Sequence, residues 1–174
     1  MQAPQAKPHP CGGDIRARIH RLLQCYHTAQ ALKDYRLYCI NRGGKVLIFA
    51  STTTPPSTIH EPYIHGIQIA LSTGERGEIN PSLGLLSILQ VEKTLPQKHY
   101  VVVNRQAAQL FLYGRDVFSS SILELQLDTR CKQYPMVVMS PEKDLLGYGK
   151  PVRRNGELLI RNILDAGWYL RSGV

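Results

Sequence analysis

Residues 100–117 read YVVVNRQAAQLFLYGRDV and carry the strongest structural signal in the chain. Tyr100 and the three valines after it form an apolar run typical of a buried strand. Asn104 is suited to cap a helix over residues 105–112, and Gly114 is placed to end that helix in a left-handed turn. The sequence therefore predicts a strand, a short helix and a glycine stop that follow one another directly.

The region after this unit is predicted to be mostly β-structure. Alternating or continuous apolar residues predict short strands, which are separated by turn residues such as Ser140-Pro141. The predicted strands cover residues 121–127, 136–139, 145–149 and 158–164. Asp165 is a good N-cap, so a short helix is predicted over 166–171. The alternative, one helix over 157–171, would place Gly167 inside it at a cost of about 1 kcal/mol relative to Ala.

The region before residue 97 predicts a separate α+β unit. Residues 1–13 contain three prolines and two glycines and are predicted to form a flexible tail outside the fold. A helix capped by Asp14 follows, with one apolar face formed by Ile15, Ile19, Leu22, Leu23 and Tyr26. A β-hairpin is predicted over 35–50, with its turn at Asn41-Arg42-Gly43-Gly44. A strand is predicted over 64–71, followed by a turn over 73–77. Asn80 and Pro81 are predicted to start a helix over 82–91.

The polar, proline-containing segment 93–97 is a plausible domain boundary. We therefore predict a 1–13 tail, a 14–93 N-terminal α+β domain and a 97–174 C-terminal domain. The fold class is α+β, with an N-terminal antiparallel sheet and helices followed by a β-rich unit.

The charge of the chain favours a polyanionic partner. Lys and Arg total 21 against 13 Asp and Glu, which gives a formal net charge of +8. Such an excess attracts RNA, DNA or an acidic membrane surface through its summed field, without choosing among them. A basic protein with no such partner is the plain alternative.

The cysteines and histidines predict neither a metal site nor a disulfide framework. The chain has four cysteines with no Cys-x-x-Cys pair, whereas structural zinc sites draw ligands in close pairs. The start of the chain lacks the apolar core of a signal peptide, and no stretch reaches the roughly 20 apolar residues that span a bilayer. We therefore expect reduced thiols that fill a core, no membrane association and a cytoplasmic location.

Two motifs in the C-terminal half resemble the PUA domain. These are Phe111-Leu112-Tyr113-Gly114-Arg115-Asp116-Val117 after the first helix of that half, and Asp165-Ala166-Gly167-Trp168-Tyr169-Leu170-Arg171 near the end. The layout of both halves is similar to the Nip family of large-subunit ribosome-biogenesis factors, which pair an N-terminal α+β domain with a C-terminal PUA domain. The resemblance implies a PUA-type β pseudo-barrel over 97–174 and binding to precursor ribosomal RNA, with a nucleolar location in a eukaryote.

The sequence gives no sign of an enzyme. It lacks Gly-x-Ser-x-Gly, His-Glu-x-x-His and a phosphate-binding Gly-rich loop, and we predict no catalysis and no cofactor. The Gly147-Tyr148-Gly149-Lys150 run lacks the spaced first glycine and the Ser/Thr of such a loop, and is predicted to be a tightly packed strand.

The basic residues are the better functional signal. The last 25 residues hold five cationic and two acidic side chains, and guanidinium groups bind phosphate oxygens in bidentate fashion. The surfaces that PUA domains use for RNA imply the RNA-binding set Arg105, Arg115, Lys150, Arg153, Arg154, Arg161 and Arg171. Trp168 and Tyr148 are expected to be exposed aromatics that stack on bases. Among these residues, only Arg161 matches a basic position of the Nip family, and Arg153 and Arg154 lie in a predicted loop of different spacing.

Three functions remain open at this stage. The first is a ribosome-assembly factor that binds precursor rRNA through the PUA half and other assembly or RNA-processing proteins through the N-terminal domain, with no DNA partner. The second is a PUA-type targeting subunit for an enzyme that modifies tRNA or rRNA. The third is a protein-interaction adaptor that has lost RNA binding, because a fold does not fix a function.

Overall fold

The computed structural model describes residues 7–54, 66–73 and 77–171, which contain two β-sheets with helices. The first sheet is antiparallel with the strand order β1-β2-β3-β4-β5. Its strands are β1 His9–Pro10, β2 Arg36–Arg42, β3 Lys45–Ser51, β4 Ile67–Thr73 and β5 Ile79–Pro81. Two helices accompany it, α1 Gly13–Tyr26 and α2 Leu83–Val91, and a 3₁₀ turn covers Ala29–Leu32.

Local sequence signals explain most of this first unit. The predicted apolar face of α1 is buried as a set: Ile15, Ile19, Leu22, Leu23 and Tyr26. Strands β2 and β3 form the predicted hairpin, because Gly43 and Gly44 adopt φ values of +55° and +72° that a tight two-residue turn requires. Residues 64–65 of the predicted strand and 74–76 of the predicted turn lie outside the described residues.

The second sheet has six strands in the order β7-β11-β10-β9-β6-β8. Strands β6 and β9 run parallel, and the other neighbours are antiparallel. The elements are β6 Tyr100–Val103, α3 Arg105–Leu112, β7 Val117–Phe118, β8 Ile122–Gln126, β9 Met136–Met139, β10 Leu145–Arg154, β11 Glu157–Asp165 and α4 Trp168–Arg171. The α+β class and its arrangement, an antiparallel sheet with helices followed by a curled β-rich unit, are confirmed.

The strand, helix and glycine stop at residues 100–114 form as predicted. The Asn104 Oδ1 accepts a hydrogen bond from the Ala107 backbone N–H at 2.8 Å, which caps α3. Gly114 has φ +80°, the left-handed conformation expected after a helix. The tight packing predicted at Gly149 is also present, because a Cβ there would lie 2.4 Å from Ile160 Cγ2.

Several local predictions are wrong. Asp14 does not cap α1, because Gly12 is the N-cap residue and Asp14 lies in the first turn. Asp165 does not cap the last helix, because it ends β11 and α4 begins at Trp168. Residues 9–13 belong to the fold rather than to a tail, because His9 and Pro10 pair with β2 and Cys11 is buried. Asn80 does not cap a helix; it pairs with Leu71 as part of β5, and α2 begins after Ser82. The segment that holds Arg153 and Arg154 is the end of β10 rather than a loop.

The prediction of reduced cysteines is also wrong. Cys11 is bonded to Cys39 with a Cα–Cα distance of 5.0 Å, and Cys25 is bonded to Cys131 with a Cα–Cα distance of 5.8 Å. Spacing along the sequence could not reveal these pairs, because β1 is brought beside β2 and α1 beside the second unit only by the tertiary fold. The second bond joins the two halves of the chain covalently.

The two halves share a packed interface around Tyr26. The Tyr26 ring stacks on His99 with a centroid distance of 6.3 Å, and its hydroxyl donates to the Pro135 carbonyl at 2.7 Å. One continuous core cluster includes Leu22 of α1 and Tyr148 of β10. Because apolar packing, hydrogen bonds and a disulfide all cross the interface, the halves are held in a fixed relation.

Candidate nucleic-acid interface

The outer face of strands β7, β11 and β10 collects exposed cations. In the β10–β11 hairpin, Lys150 pairs with Arg161, Val152 with Leu159, and Arg154 with Glu157. Side chains alternate along a strand, so every second pair lies on the same side of the sheet. Lys150, Arg154 and Arg161 therefore share one face, and all three are exposed.

The opposite side of these strands packs against the core of the C-terminal domain. Ile160 pairs with Pro151 of β10 and Val117 of β7, and both Ile160 and Val117 are buried in that core. This burial identifies the side with Lys150, Arg154 and Arg161 as the one that faces solvent. We call it the outer face.

An exposed aromatic ring belongs to the same outer face. Phe118 pairs with Leu159 across β7 and β11, and 64% of its surface is exposed. A groove of about 400 Å³ runs beside it at the end of the hairpin, lined by Phe118, Arg154, Asn155, Glu157, Leu158 and Leu159. An aromatic ring can stack on a base while neighbouring cations hold phosphates, which is how sequence-tolerant RNA sites are built.

The loop after α3 extends the outer face. The Asp116 Oδ1 accepts a hydrogen bond from the Asn162 backbone N–H at 2.8 Å, and the Asn162 Nδ2 donates to the Phe111 carbonyl at 2.8 Å. These two bonds fasten the loop next to Arg161 on β11. Residues 113–116 are all exposed, and they include Arg115 of the predicted set and Tyr113, which is 70% exposed.

Arg153 does not join this cluster. It pairs with Leu158, so it lies on the side of the hairpin opposite to Arg154, and its Nη1 donates to the Gly156 carbonyl at 3.2 Å. The two neighbouring arginines, predicted together, are therefore separated by the sheet.

Arg105 and Arg171 are engaged with carboxylates. The Arg105 Nη2 lies 2.6 Å from Glu142 Oε1, and this pairing holds the pKa of Glu142 below its usual value. The Arg171 Nη2 lies 2.8 Å from Oδ2 of Asp165, and Arg171 also donates to the Leu112 carbonyl. Asp165 is 2% exposed. Arg171 thus fastens the terminal helix to the end of α3, and the same ion pair raises its pKa.

The exposed aromatics differ from those predicted. Tyr148 is buried, its hydroxyl donates to the Ser82 carbonyl at 3.2 Å, and burial raises its pKa well above the usual value. It serves the interface between the halves rather than RNA. Trp168 is 49% exposed, as predicted. Phe118 and Tyr113 are also exposed, and the sequence patterns did not single them out. The signal for Phe118 was its position one residue after the buried Val117, where alternation turns a side chain outward.

The described residues contain neither a metal-binding cluster nor a membrane-spanning helix. In residues 7–54, 66–73 and 77–171, no group of three His, Cys, Asp or Glu side chains is arranged to hold a metal ion. Within the same ranges, no helix has the length and apolar character needed to cross a bilayer.

Solved structures with this architecture define the class of protein. A conserved PUA domain protein from Thermoplasma acidophilum superposes with a TM-score of 0.58 at 17% identity, covering 95% of this chain and 99% of that one. A hypothetical protein from Pyrococcus horikoshii gives a TM-score of 0.57 at 16% identity over 94% of this chain and 98% of that one. These likenesses show that the chain shares its fold with these two archaeal proteins, the first of which is described as a PUA domain protein.

Sequence comparisons match part of the chain to a family model and show similarity to two archaeal proteins. Residues 99–174 match the family model described as the UPF0113 PUA domain. A UPF0113 protein from Aeropyrum pernix is 32% identical over 111 residues, which cover 64% of this chain and 59% of that relative's length. A UPF0113 protein from Archaeoglobus fulgidus is 26% identical over 167 residues, or 88% of each chain. A PUA domain implies RNA binding.

Proposed function

We propose that this protein is a non-catalytic ribosome-biogenesis factor that binds precursor ribosomal RNA of the large subunit. RNA lies along the outer face, where Lys150, Arg154 and Arg161 contact phosphates and Phe118 stacks on a base. Arg115 and Tyr113 in the adjoining loop extend the contact. The observation that carries the proposal is the exposed Phe118 ring on the same face as three exposed cations.

The choice of RNA over DNA rests on the PUA domain. The choice of precursor rRNA rests on the resemblance to the Nip family, which also suggests that the N-terminal domain contacts assembly or RNA-processing proteins. It further supports a cytoplasmic location, or a nucleolar one in a eukaryote. We assign smaller contributions to RNA affinity to the other three predicted arginines. Arg105 and Arg171 are paired with carboxylates within the fold, and Arg153 lies off the outer face.

A matched pair of variants tests the placement of RNA. Arg154→Ala removes an outer-face cation, whereas Arg153→Ala removes the same charge from the opposite side of the same strand. Fluorescence anisotropy with a labelled oligouridylate should show weaker binding for Arg154→Ala and a salt slope smaller by about 0.7, the value of one released counterion. Arg153→Ala should bind nearly as the unchanged protein does. Equal effects of the two changes would contradict this placement.

Phe118 allows a test that does not depend on charge. Phe118→Ala should cost about 1–3 kcal/mol of RNA affinity, the usual range for one base stacked on an aromatic side chain, with an unchanged salt slope. Phe118→Trp should retain binding because it retains a flat ring. Circular dichroism at matched concentrations checks that Phe118→Ala remains folded, and an unchanged affinity in a folded variant would remove stacking at this position.

The RNA target needs a separate measurement. Labelled fragments of large-subunit precursor rRNA, tRNA and DNA of equal length should be compared at one salt concentration. The proposal expects tightest binding to a precursor rRNA fragment and weakest binding to DNA. Preferential binding to tRNA would instead favour a targeting subunit of a tRNA-modifying enzyme, and absence of RNA binding would favour a protein-interaction adaptor.

A further inference from the structure

The N-terminal domain contains a groove that the RNA-binding face does not use. It has a volume of about 740 Å³ and lies between α1, the 3₁₀ turn at Ala29–Leu32 and the β1–β2 edge of the first sheet. Its apolar lining includes the aliphatic side chains Ile19, Leu23, Leu32 and Leu37. Leu32 and Leu37 are only half-buried, so part of this apolar surface remains in contact with solvent.

Cations surround this apolar lining. The cations are Arg16 on α1 and, in the segment that follows the helix, Lys33 and Arg36. His20 lies four residues after Arg16 and therefore on the same side of the helix, where its ring adds a polar group to the border. All four are exposed. Among the described lining residues there is no Asp or Glu. The charged side chains among these described lining residues are therefore all cationic.

The surroundings offset these charges only in part. The Lys33 Nζ lies 3.9 Å from the Asp34 Oδ2, but both side chains are more than 70% exposed, and such surface pairs are weak. The Arg36 Nη1 donates to the Thr54 hydroxyl at 2.8 Å, and this acceptor is neutral, so the bond itself does not offset the guanidinium charge. The groove thus presents an apolar interior with a cationic border.

We propose that this groove docks an acidic, amphipathic peptide segment of a partner protein. Aspartate and glutamate side chains of the peptide would face Arg16 and Arg36, and a leucine-like side chain would cover Leu32 and Leu37. Charge complementarity selects an acidic occupant, because a basic segment would meet like charges at the border. The inference concerns a surface apart from the outer face and does not rest on the proposed RNA function.

The lining favours a peptide over RNA as that acidic occupant. Nucleobases bind to proteins largely by stacking on open aromatic rings. The apolar side chains of the groove are aliphatic except for two tyrosines. Tyr38 is buried, and Tyr35 is half-buried with its hydroxyl bonded to Glu92 at 2.9 Å. Phe118 on the outer face is 64% exposed and provides the contrast. An aliphatic lining instead matches the apolar side of an amphipathic peptide.

Defined peptides and the full chain test this inference. A fluorescein-labelled synthetic peptide of alternating Glu-Glu and Leu-Leu pairs should bind in an anisotropy titration. The double variant Arg16→Ala/Arg36→Ala should bind it about three- to tenfold more weakly, as expected for the loss of two exposed charge contacts. Arg42→Ala is the matched control, because it removes an exposed β2 arginine that does not line the groove, and it should leave the affinity unchanged.

Comparison probes separate charge from apolar contact and peptide from RNA. A peptide with every Leu changed to Ser, and one with every Glu changed to Lys, should each lose binding, and oligouridylate should not displace the acidic peptide. RNA affinity should stay the same in the double variant, which distinguishes failure of this inference from failure of the RNA proposal. No binding of the acidic peptide at millimolar concentration, equal binding of the Ser peptide, or displacement by oligouridylate would each overturn it.

Discussion

The bond between Cys25 and Cys131 should supply a large part of the stability of this chain. It closes a loop across a sequence separation of 106 residues and joins α1 to the PUA domain. Loop-closure entropy for that length predicts a contribution of about 4.8 kcal/mol, and a typical measured contribution is about 2–4 kcal/mol. The Cys11–Cys39 bond spans 28 residues, for which the same relation gives about 3.6 kcal/mol.

The perturbation is the double change Cys25→Ala/Cys131→Ala. Alanine is preferred to serine because Cys131 is 4% exposed, and a buried hydroxyl without a partner would add its own cost. Urea unfolding followed by far-UV circular dichroism should give a free energy of unfolding lower by about 2–5 kcal/mol than that of the oxidised parent. The parent in excess reductant should lose more, because it then loses both bonds.

Thiol labelling decides whether this reasoning holds. The purified, unreduced protein should expose no reactive thiol after denaturation. After partial proteolysis, fragments from the two halves of the chain should remain linked until reductant is added. Four labelled cysteines in that sample, or a double-alanine variant as stable as the parent, would refute the account. Disulfides are rare in a reducing cytosol, although intracellular proteins of hyperthermophilic archaea are an exception. Thiol labelling in cells therefore also tests the predicted cytoplasmic location.

Three further changes test interactions inside the fold, each by urea unfolding. Arg171→Ala leaves the buried Asp165 carboxylate without its cation and should cost about 2–4 kcal/mol, with partial recovery in Arg171→Lys. Tyr148→Phe removes the hydroxyl that bonds Ser82 across the interface and should cost about 1 kcal/mol; no loss would mean that this bond adds nothing. Burial lowers the pKa of His99, and its bond to a backbone carbonyl and a nearby carboxylate offset this shift only in part. As the pH falls, the unfolded chain therefore binds a proton at this residue before the folded chain does. The free energy of unfolding should accordingly decrease as the pH is lowered past about 6.5. His99→Gln should flatten that pH dependence, whereas an equal slope in both proteins would assign it to other groups.

The parts of the fold that depend on local chemistry were predictable. Asn104 and Gly114 bracket α3 because a cap and a left-handed stop are properties of single residues and their neighbours. The β2–β3 hairpin follows in the same way from Gly43 and Gly44. A closing strand and a short helix form instead of one long helix, as predicted, although Asp165 ends the strand and the helix begins only at Trp168.

The parts that depend on tertiary register were not predictable from the sequence. Arg153 and Arg154 are identical as residue types, and only their pairing with Leu158 and Glu157 places them on opposite sides of the hairpin. Tyr148 carries no sequence mark that distinguishes an exposed stacking ring from a buried one. Its burial arises because the N-terminal domain covers that part of β10, which is a property of the interface between the halves.

The cysteine pairs show the same limit. Their separations of 28 and 106 residues give no indication of contact, and the prediction of free thiols, which rested on the lack of a signal-peptide pattern, was wrong. The N-terminal residues 9–13 were assigned to a tail because of their prolines. His9 and Pro10 nevertheless pair at the edge of the sheet, where proline is tolerated because an edge strand leaves backbone groups unpaired.

The central claim is that RNA lies on the outer face of β7, β10 and β11. Photocrosslinking with an oligouridylate that contains 4-thiouridine, followed by mass spectrometry of the crosslinked peptides, tests it most directly. The account predicts crosslinks at Phe118 or within Leu145–Arg154 and Glu157–Asp165, and their loss in a Lys150→Ala/Arg154→Ala/Arg161→Ala variant. Crosslinks confined to the N-terminal domain, or retained at full yield in that variant, would contradict it.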